Sequence, residues 1–268
     1  MVKLASTRRG AGPLLVCHPG GPGFSRAELA DLGGLDATRE LVLVDPRGTG
    51  ATGPAETYRL DDYVADLDGL REDLALEAVD LLGFSHGGIV AMAYAAGHRQ
   101  HVRKLVLAST IAAVSEETAA EMERRKAAKA GEPWFAAAEA ALKREERGDY
   151  GDDELGELWK AMAPMYFSRW DAARYGAWLE SSGDGSSAAP LRAFNDEPFD
   201  LRGELPRIEA ETLVITGVDD FICGPAAAAA IADGIAGAEV VILDGAGHMT
   251  FLEQPNAFRS AVESFLAR

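Results

Sequence analysis

The chain has 268 residues, of which 47% are hydrophobic and 26% charged, and it carries a formal net charge of −17. This length suits one large α/β domain or a core domain that carries an insertion. So acidic a chain lacks the cationic surface that would neutralise phosphates, which excludes a nucleic-acid partner and disfavours binding to an anionic membrane.

The cysteines and the hydropathy pattern predict a cytoplasmic protein. Only Cys17 and Cys223 occur, too few for a disulfide framework, so we expect reduced thiols. The chain does not open with a basic segment followed by an apolar one, as a signal peptide does. No apolar run reaches the length of a membrane span.

Short apolar runs mark the predicted strands of the core. In chain order they are LLVCH at 14–18, LVLVD at 41–45, VDLLG at 79–83, KLVLA at 104–108, TLVITG at 212–217 and EVVIL at 239–243. Such runs are typical of strands that are buried on both faces. Helical patterns separate them at about 60–76, 86–98, 225–236 and 255–267. The alternation predicts an α/β fold with a doubly wound, mostly parallel sheet.

The alternation stops between about Ser115 and Pro206, where the sequence contains amphipathic helical patterns but no run typical of a strand. We interpret residues 115–205 as a helical cap inserted into a core that comprises residues 1–114 and 206–268. All four tryptophans lie in this insertion. The aromatic residues of the insertion either pack between its helices or line an apolar substrate pocket.

The sequence GFSHG at 83–87 carries the chemistry of the predicted site. It is a G-x-S-x-G motif between a predicted strand and a predicted helix, the setting in which a serine is held on a sharp, strained turn. Glycines on either side let the strand and the helix approach each other. We therefore interpret Ser85 as a nucleophile. The turn aims the backbone N–H of His86 toward the oxygen of a bound carbonyl group.

A serine nucleophile needs a base and a group that orients the base. Among five histidines, His248 lies in a glycine-rich loop after the run EVVIL, where a parallel sheet delivers its loops to the carboxyl ends of the strands. The orienting acid should follow another strand, and Asp219 and Asp220 both come shortly after TLVITG. Either aspartate could serve on this evidence.

The segment HPGGPG at 18–23 follows the first clear strand and can supply a second oxyanion donor. Its glycines permit a backbone path that presents N–H groups inward, and its prolines stiffen that path. We expect His18 to hold this loop in shape. We expect the side chain of His86 to lie at the rim of the pocket.

Together these motifs resemble the α/β-hydrolase fold and, within it, the proline iminopeptidase branch of serine peptidases. HPGGPG is similar to the HGGPG oxyanion loop of that branch with one proline inserted, and GFSHGG is similar to its nucleophile elbow. DPRGTG at 45–50, GVDDFICGP at 217–225 and GAGHMTFLEQP at 245–255 resemble its DQRGxG segment, its acid loop and its histidine loop. The resemblance implies Asp220 as the acid, Gly21 and His86 as the oxyanion donors, and no cofactor or metal.

The chain departs from that branch at its elbow, its N-terminus and its insertion. His86 stands where tryptophan is usual, Pro46 replaces glutamine, and the leading hairpin must be reduced to something like VKLAS at 2–6 or lost. The insertion has no motif that matches the family's cap, whose carboxylates hold the free amine of the substrate. Candidates for that role by residue type are Glu180, Asp184, Asp196 and Glu197. Candidate aromatic contacts are Trp178 and Tyr166.

The sequence therefore predicts a serine hydrolase that forms an acyl-enzyme through Ser85, His248 and Asp220. The resemblance favours an aminopeptidase that removes N-terminal proline or another small residue from a small molecule or short peptide. The departures and the aromatic insertion favour a carboxylesterase, lactonase or amidase for small apolar acyl groups. A protein that binds a ligand without turnover is a third alternative. The sequence does not set the oligomeric state.

Overall fold

Seven strands form one sheet in the residues that the computed structural model describes, which are 1–148, 150–196 and 198–268. The strands are β1 (Ala5–Arg9), β2 (Leu14–His18), β3 (Glu40–Asp45), β4 (Val79–Phe84), β5 (Val102–Ala108), β6 (Glu211–Gly217) and β7 (Glu239–Leu243). They lie in the order β1-β3-β2-β4-β5-β6-β7, and neighbours are parallel except β1 with β3. The predicted doubly wound, mostly parallel sheet is confirmed.

The helices that accompany the sheet are α1 (Leu60–Asp73), α2 (His86–Gly97), α3 (Glu116–Ala128), α4 (Phe135–Glu146), α5 (Asp152–Met162), α6 (Ala172–Ser182), α7 (Ala188–Asp196), α8 (Pro225–Gly234), α9 (Thr250–Glu253) and α10 (Pro255–Leu266). Helices α1, α2, α8 and α10 correspond to the four predicted for the core, and each ends slightly earlier than predicted. Proline opens α8 and α10 because its fixed φ suits a first helical turn. Within the described residues, no helix is both long enough and apolar enough to cross a bilayer.

Alternate residues of the central strands pack into two hydrophobic cores, one on each face of the sheet. Leu15 and Cys17 of β2 belong to the core that contains Phe258 of α10. Val16, between them, belongs to the core that contains Leu67 of α1. Successive side chains of a strand point to opposite faces, so these strands are buried on both, as their apolar runs predict.

Both edge strands of the sheet, β7 and β1, differ from what the sequence predicts. β7 is an edge strand, and its Val240 and Ile242 are 42% and 37% exposed, so its apolar run does not reflect burial on both faces. At the other edge, β1 consists of ASTRR rather than VKLAS, and it pairs antiparallel with β3. One strand, β1, therefore precedes β2 in the described residues.

Between β5 and β6 the described residues form helices α3 to α7, with a single antiparallel bridge between Ala113 and Asp200. The aromatic residues of this insertion pack against each other. The ring of Trp159 lies 6.1 Å from that of Trp178 and 5.3 Å from that of Tyr166. The interpretation of residues 115–205 as a separate cap stays a prediction.

The parallel strands bring the sequence motifs to one edge of the sheet. β2 leads into the HPGGPG loop, and β4 leads into Ser85. β6 leads into the loop that carries Asp219 and Asp220, and β7 leads into the loop that carries His248. Because parallel strands end on the same side, segments that are far apart in the chain lie together there.

Candidate active site

Ser85 lies on the sharp turn between β4 and α2. Its backbone has φ 52° and ψ −119°, a conformation that is strained for a residue with a Cβ atom. A Cβ atom added at Gly83 would lie 2.3 Å from the Gly87 carbonyl oxygen. One added at Gly87 would lie 2.4 Å from the His18 carbonyl oxygen. Only glycine fits at both positions, so G-x-S-x-G forms the predicted strand–turn–helix.

His248 and Asp220 form a buried pair at the ends of β7 and β6. Nδ1 of His248 lies 2.9 Å from Oδ2 of Asp220, and the two side chains are 3% and 0% exposed. The other carboxylate oxygen accepts the N–H groups of Ile222 and Cys223, each at 3.0 Å. Burial opposes ionisation of Asp220, but His248 and these N–H donors outweigh it and lower the pKa of the carboxyl group. Such a carboxylate can orient the imidazole and stabilise its protonated form.

Asp219, the other aspartate that the sequence left open, makes different contacts. Its side chain is 46% exposed and lies 3.8 Å from Arg125. Its Oδ2 accepts a hydrogen bond from Oγ of Ser168 at 2.6 Å. The structure therefore places Asp220, rather than Asp219, against His248, as the family resemblance implies.

Ser85 and His248 line one cavity of about 150 Å³. Gly21, which has φ 100° and is joined to Pro22 by a cis peptide bond, lines it too. A Cβ atom added at Gly20 would lie 3.0 Å from Cβ of Ser85, so the HPGGPG loop runs directly past the proposed nucleophile. Much of the remaining wall is apolar and consists of Phe24, Trp159, Met162, Tyr166, Leu191, Phe194, Ile222 and Met249.

Two carboxyl groups and one amide also line this cavity. Glu28 is 3% exposed, and its Oε2 accepts the N–H of Gly20 at 2.7 Å. Burial raises the pKa of Glu28 to about 7, although the Gly20 N–H and the nearby His248 favour the ionised form. Oε1 of Glu145 in α4 accepts an N–H of the Asn195 amide at 3.1 Å. Burial raises the pKa of Glu145 as well.

Neither Glu28 nor Glu145 is among the residues that the sequence predicts for the site. Glu28 follows the HPGGPG loop closely, and that proximity is the signal that could have found it, because the loop enters the site. Glu145 belongs to the run KREER at 143–147, which is typical of a solvated helix face. Only the packing of the insertion on the core brings it to the cavity.

The two aromatic residues predicted to contact substrate have different positions. Tyr166 lines the cavity, and its ring lies 5.4 Å from that of His248. Trp178 is half-buried behind this wall, and its Nε1–H donates to the carbonyl oxygen of Glu28 at 2.9 Å. Trp178 therefore supports the backbone of Glu28, while Tyr166 faces the space beside His248.

Of the four carboxylates predicted to hold a substrate amine, the three that the structure describes do not line this cavity. Glu180 is 69% exposed and pairs with Nζ of Lys160 at 2.8 Å, because α6 turns its apolar face inward and leaves this residue in solvent. Asp184 and Asp196 are exposed as well. Glu197 lies outside the described residues. Among the described residues, the carboxyl groups that line the cavity are those of Glu28 and Glu145.

The sequence predicts the side chain of His86 at the rim of the pocket, but the structure buries it. It is 4% exposed, and its ring packs 5.1 Å from that of Tyr63 and 5.2 Å from that of Phe194. Burial, and secondarily His18, lowers its pKa to about 3, which keeps the ring neutral. Nδ1 of His18 lies 2.9 Å from the carbonyl oxygen of Pro19, in agreement with a role in shaping its own loop.

Asp68, His98 and His101 bring three potential metal-ligand atoms within 4.8 Å of one another. Nε of Arg71 also donates to Asp68 at 2.8 Å, and its positive charge opposes a cation on that carboxylate. These residues do not line the cavity beside Ser85. The cluster therefore has no part in the chemistry of that cavity.

Comparison with known proteins identifies the family. The model of the alpha/beta hydrolase fold family matches residues 13–255. A proline iminopeptidase of Pestalotiopsis fici is 28% identical over 263 residues, which cover 96% of this chain and 92% of the relative. A 2-hydroxymuconate semialdehyde hydrolase of a Pseudomonas species is 32% identical over 271 residues, which cover 96% and 88% of the two chains.

Solved structures agree with the architecture described above. An esterase of Exiguobacterium antarcticum has a TM-score of 0.76 at 24% identity, with 100% of this chain and 96% of the esterase covered. A hydrolase of Pseudomonas aeruginosa has a TM-score of 0.68 at 32% identity, with 99% and 94% covered. The chain therefore belongs to the alpha/beta hydrolase fold family, with relatives in its proline iminopeptidase-like branch, and is a hydrolytic enzyme.

Proposed function

We propose that this enzyme is a serine hydrolase in which Ser85, His248 and Asp220 act as a catalytic triad. The observation that carries the proposal is the buried 2.9 Å contact between Nδ1 of His248 and Oδ2 of Asp220, at a cavity that Ser85 lines from its strained turn. An imidazole that is held through Nδ1 offers Nε2 as the base for a serine hydroxyl.

In the proposed reaction, Nε2 of His248 takes the hydroxyl proton while Oγ of Ser85 attacks the carbonyl carbon of the substrate. The Asp220 carboxylate stabilises the imidazolium, which returns the proton to the leaving group as its bond to carbon breaks. Water then attacks the acyl-enzyme with His248 again as base, and Ser85 is regenerated. The backbone N–H groups of Gly21 and His86 donate to the oxyanion.

For the substrate, we propose a small molecule or short peptide with a free N-terminal amine, so that the enzyme acts as an aminopeptidase of the proline iminopeptidase type. Glu28 and Glu145 line the same cavity as Ser85, one from the core and one from the insertion. Carboxylates are suited to hold an ammonium group by charge-assisted hydrogen bonds. The rings of Phe24 and Trp159, 4.8 Å apart, supply an apolar surface for a small side chain or ring.

An esterase, lactonase or amidase for small apolar acyl groups is the second candidate. Apolar residues predominate in the cavity wall, and the curated relative at 32% identity is a semialdehyde hydrolase rather than a peptidase. With its pKa at about 7, Glu28 is partly protonated near neutral pH and then needs no cationic partner. The hydrolytic relatives argue against the third alternative, a protein that binds its ligand without turnover.

A fluorophosphonate probe tests the triad without knowledge of the substrate. We expect the wild-type chain to be labelled and the Ser85→Ala variant to lose the label. A wild-type chain that is not labelled, and that hydrolyses neither aminoacyl amides nor esters, would contradict the proposal.

Prolyl naphthylamide, its N-acetyl derivative and p-nitrophenyl butyrate separate the two substrate classes. An aminopeptidase should prefer the free amine, and Glu28→Gln and Glu145→Gln should each lower kcat/KM for it by about 10- to 100-fold, the value of a hydrogen bond to a charged group. Glu146→Gln changes the exposed neighbour of Glu145 and should keep wild-type activity. Rapid hydrolysis of the butyrate with no cleavage of an aminoacyl amide would establish the esterase instead.

We also propose that the reaction takes place in the cytoplasm. Cys17 and Cys223 are both free and buried, and a protein without disulfides suits a reducing compartment. Determination of the thiol state in extracts of the source cells, together with their fractionation, tests this assignment.

A further inference from the structure

Glu253 is a buried carboxyl group close to His248 that the proposed reaction does not use. It ends the short helix α9 and is 5% exposed. Its two oxygens accept backbone N–H groups from different parts of the chain. Oε2 accepts from Gly247 at 2.6 Å, and Oε1 accepts from Ser168 of the insertion at 2.7 Å. One side chain thus joins the histidine loop to the insertion.

The insertion segment 166–168 contacts both of the loops that supply the base and the acid. The carbonyl oxygen of Tyr166 accepts the backbone N–H of His248 at 2.7 Å. Oγ of Ser168 donates to Oδ2 of Asp219, in the loop that carries the acid, at 2.6 Å. This short segment is therefore bonded to the backbone of the proposed base itself.

The backbone of the histidine loop packs directly against the backbone of segment 166–168, with no room for a side chain between them. A Cβ atom added at Gly247 would lie 2.6 Å both from the amide nitrogen of Ser168 and from the carbonyl oxygen of Tyr166. Nη2 of Arg174 in α6 also donates to the carbonyl oxygen of Glu253, at 3.0 Å. The loop cannot shift relative to the insertion without breaking several of these bonds.

We propose that Glu253 is a positioning residue, which holds the His248 loop against segment 166–168 and so sets the direction in which the imidazole faces Ser85. The inference rests on the proposed function, because it takes His248 as the base. Two N–H groups meet the two oxygens of one carboxyl group, so a side chain with a single acceptor cannot replace it. The insertion then helps to orient the triad as well as to enclose the substrate.

The Glu253→Gln variant tests the role, because its amide keeps one acceptor but turns an NH₂ donor toward the second N–H group. We expect the rate at which a fluorophosphonate labels Ser85 to fall about 10- to 100-fold, as for a reacting group held slightly out of place. For a turned-over substrate, kcat should fall while KM stays near its wild-type value. Glu253→Asp keeps both oxygens and should recover part of the rate. Glu157→Gln, at a side chain 82% exposed, is the control and should match wild type.

The low-field proton resonance of the His248 imidazole reports its position whatever the substrate. It should shift or broaden in Glu253→Gln and stay unchanged in Glu157→Gln, whereas a merely structural role would lower stability and leave it in place. A wild-type chain that is not labelled, and that hydrolyses neither aminoacyl amides nor esters, contradicts the proposed function, whereas the resonance still shows whether Glu253 positions the imidazole. Wild-type labelling together with an unchanged resonance in Glu253→Gln would overturn the positioning role. If that variant does not fold, the same comparison is made with Glu253→Asp.

Discussion

Glycines at the element ends of the core and glycines inside the insertion helices have very different surroundings. At Gly83, Gly87 and Gly217 an added Cβ atom would lie between 2.2 and 2.4 Å from a backbone oxygen. At Gly156 of α5 and Gly176 of α6 it would meet nothing within 4 Å. Backbone therefore packs directly against backbone at these three positions of the core, whereas the insertion has room at Gly156 and Gly176. Core strands carry Ser85, Asp220 and His248 at their ends, and the insertion supplies other residues to the cavity wall.

Asp220→Asn should have the largest effect, because it alters the core site without changing its shape. A neutral amide neither stabilises the imidazolium nor selects its tautomer, and in comparable triads this change lowers kcat about 10⁴-fold. Turnover and fluorophosphonate labelling measure the loss. Asp219→Asn, at the half-buried neighbour, should have a much smaller effect, and equal effects at the two positions would contradict the assignment of the acid.

Gly217→Ala tests the backbone contact in the core directly. The new Cβ atom would lie 2.2 Å from the carbonyl oxygens of Ala246 and Gly247, so the histidine loop must move. We expect the free energy of unfolding to fall by about 3 kcal/mol, the upper end for overpacked sites, because backbone cannot rotate away as a side chain can. Urea unfolding measures this change. A variant with wild-type stability would show that the loop is free to shift.

Glu28→Gln should change how stability depends on pH. The pKa of Glu28 is about 7 in the folded chain against an ordinary 4.5, so the unfolded chain releases this proton first as the pH rises. The protonated Glu28 side chain therefore makes a stabilising contribution to the free energy of unfolding. This contribution is fully present below pH 4.5 and is lost as the pH rises through about 7. It amounts to at most about 3 kcal/mol.

Urea unfolding at a series of pH values measures this contribution. Glu28→Gln should show a smaller decrease between pH 4.5 and 7 than wild type. Glu146→Gln, whose carboxyl group is exposed in the insertion, should keep the wild-type decrease. Equal pH dependence in wild type and Glu28→Gln would mean that the carboxyl group is not buried as described.

Gly176→Ala should have the smallest effect on the free energy of unfolding and, unlike Gly217→Ala, should raise it. Its position inside α6 is open, and alanine restricts the unfolded chain more than glycine does. We expect the free energy of unfolding to rise by about 0.5–1 kcal/mol. Thermal or urea unfolding measures the gain, and a loss of stability would show that this part of the insertion is as closely packed as the core is around Gly217.

The sequence by itself determined the features that depend on near neighbours in the chain. Runs such as LLVCH and TLVITG identified six of the strands, five of them because burial on both faces of a sheet requires continuous apolar residues. The turn at Ser85 was predictable because its steric requirement falls on glycines two residues away on either side. Proline marked the starts of α8 and α10 for an equally local reason.

Only the tertiary structure decided features that depend on residues far apart in the chain. Asp219 and Asp220 are indistinguishable by local pattern, and the contact with His248, 28 residues further on, selects Asp220. The exposed edge position of β7 follows from strand order, which its apolar composition does not encode. Glu145 looks like one more solvated charge until α4 packs over the core. A side chain's environment is set by the surfaces that fold against it, and those surfaces come from distant parts of the chain.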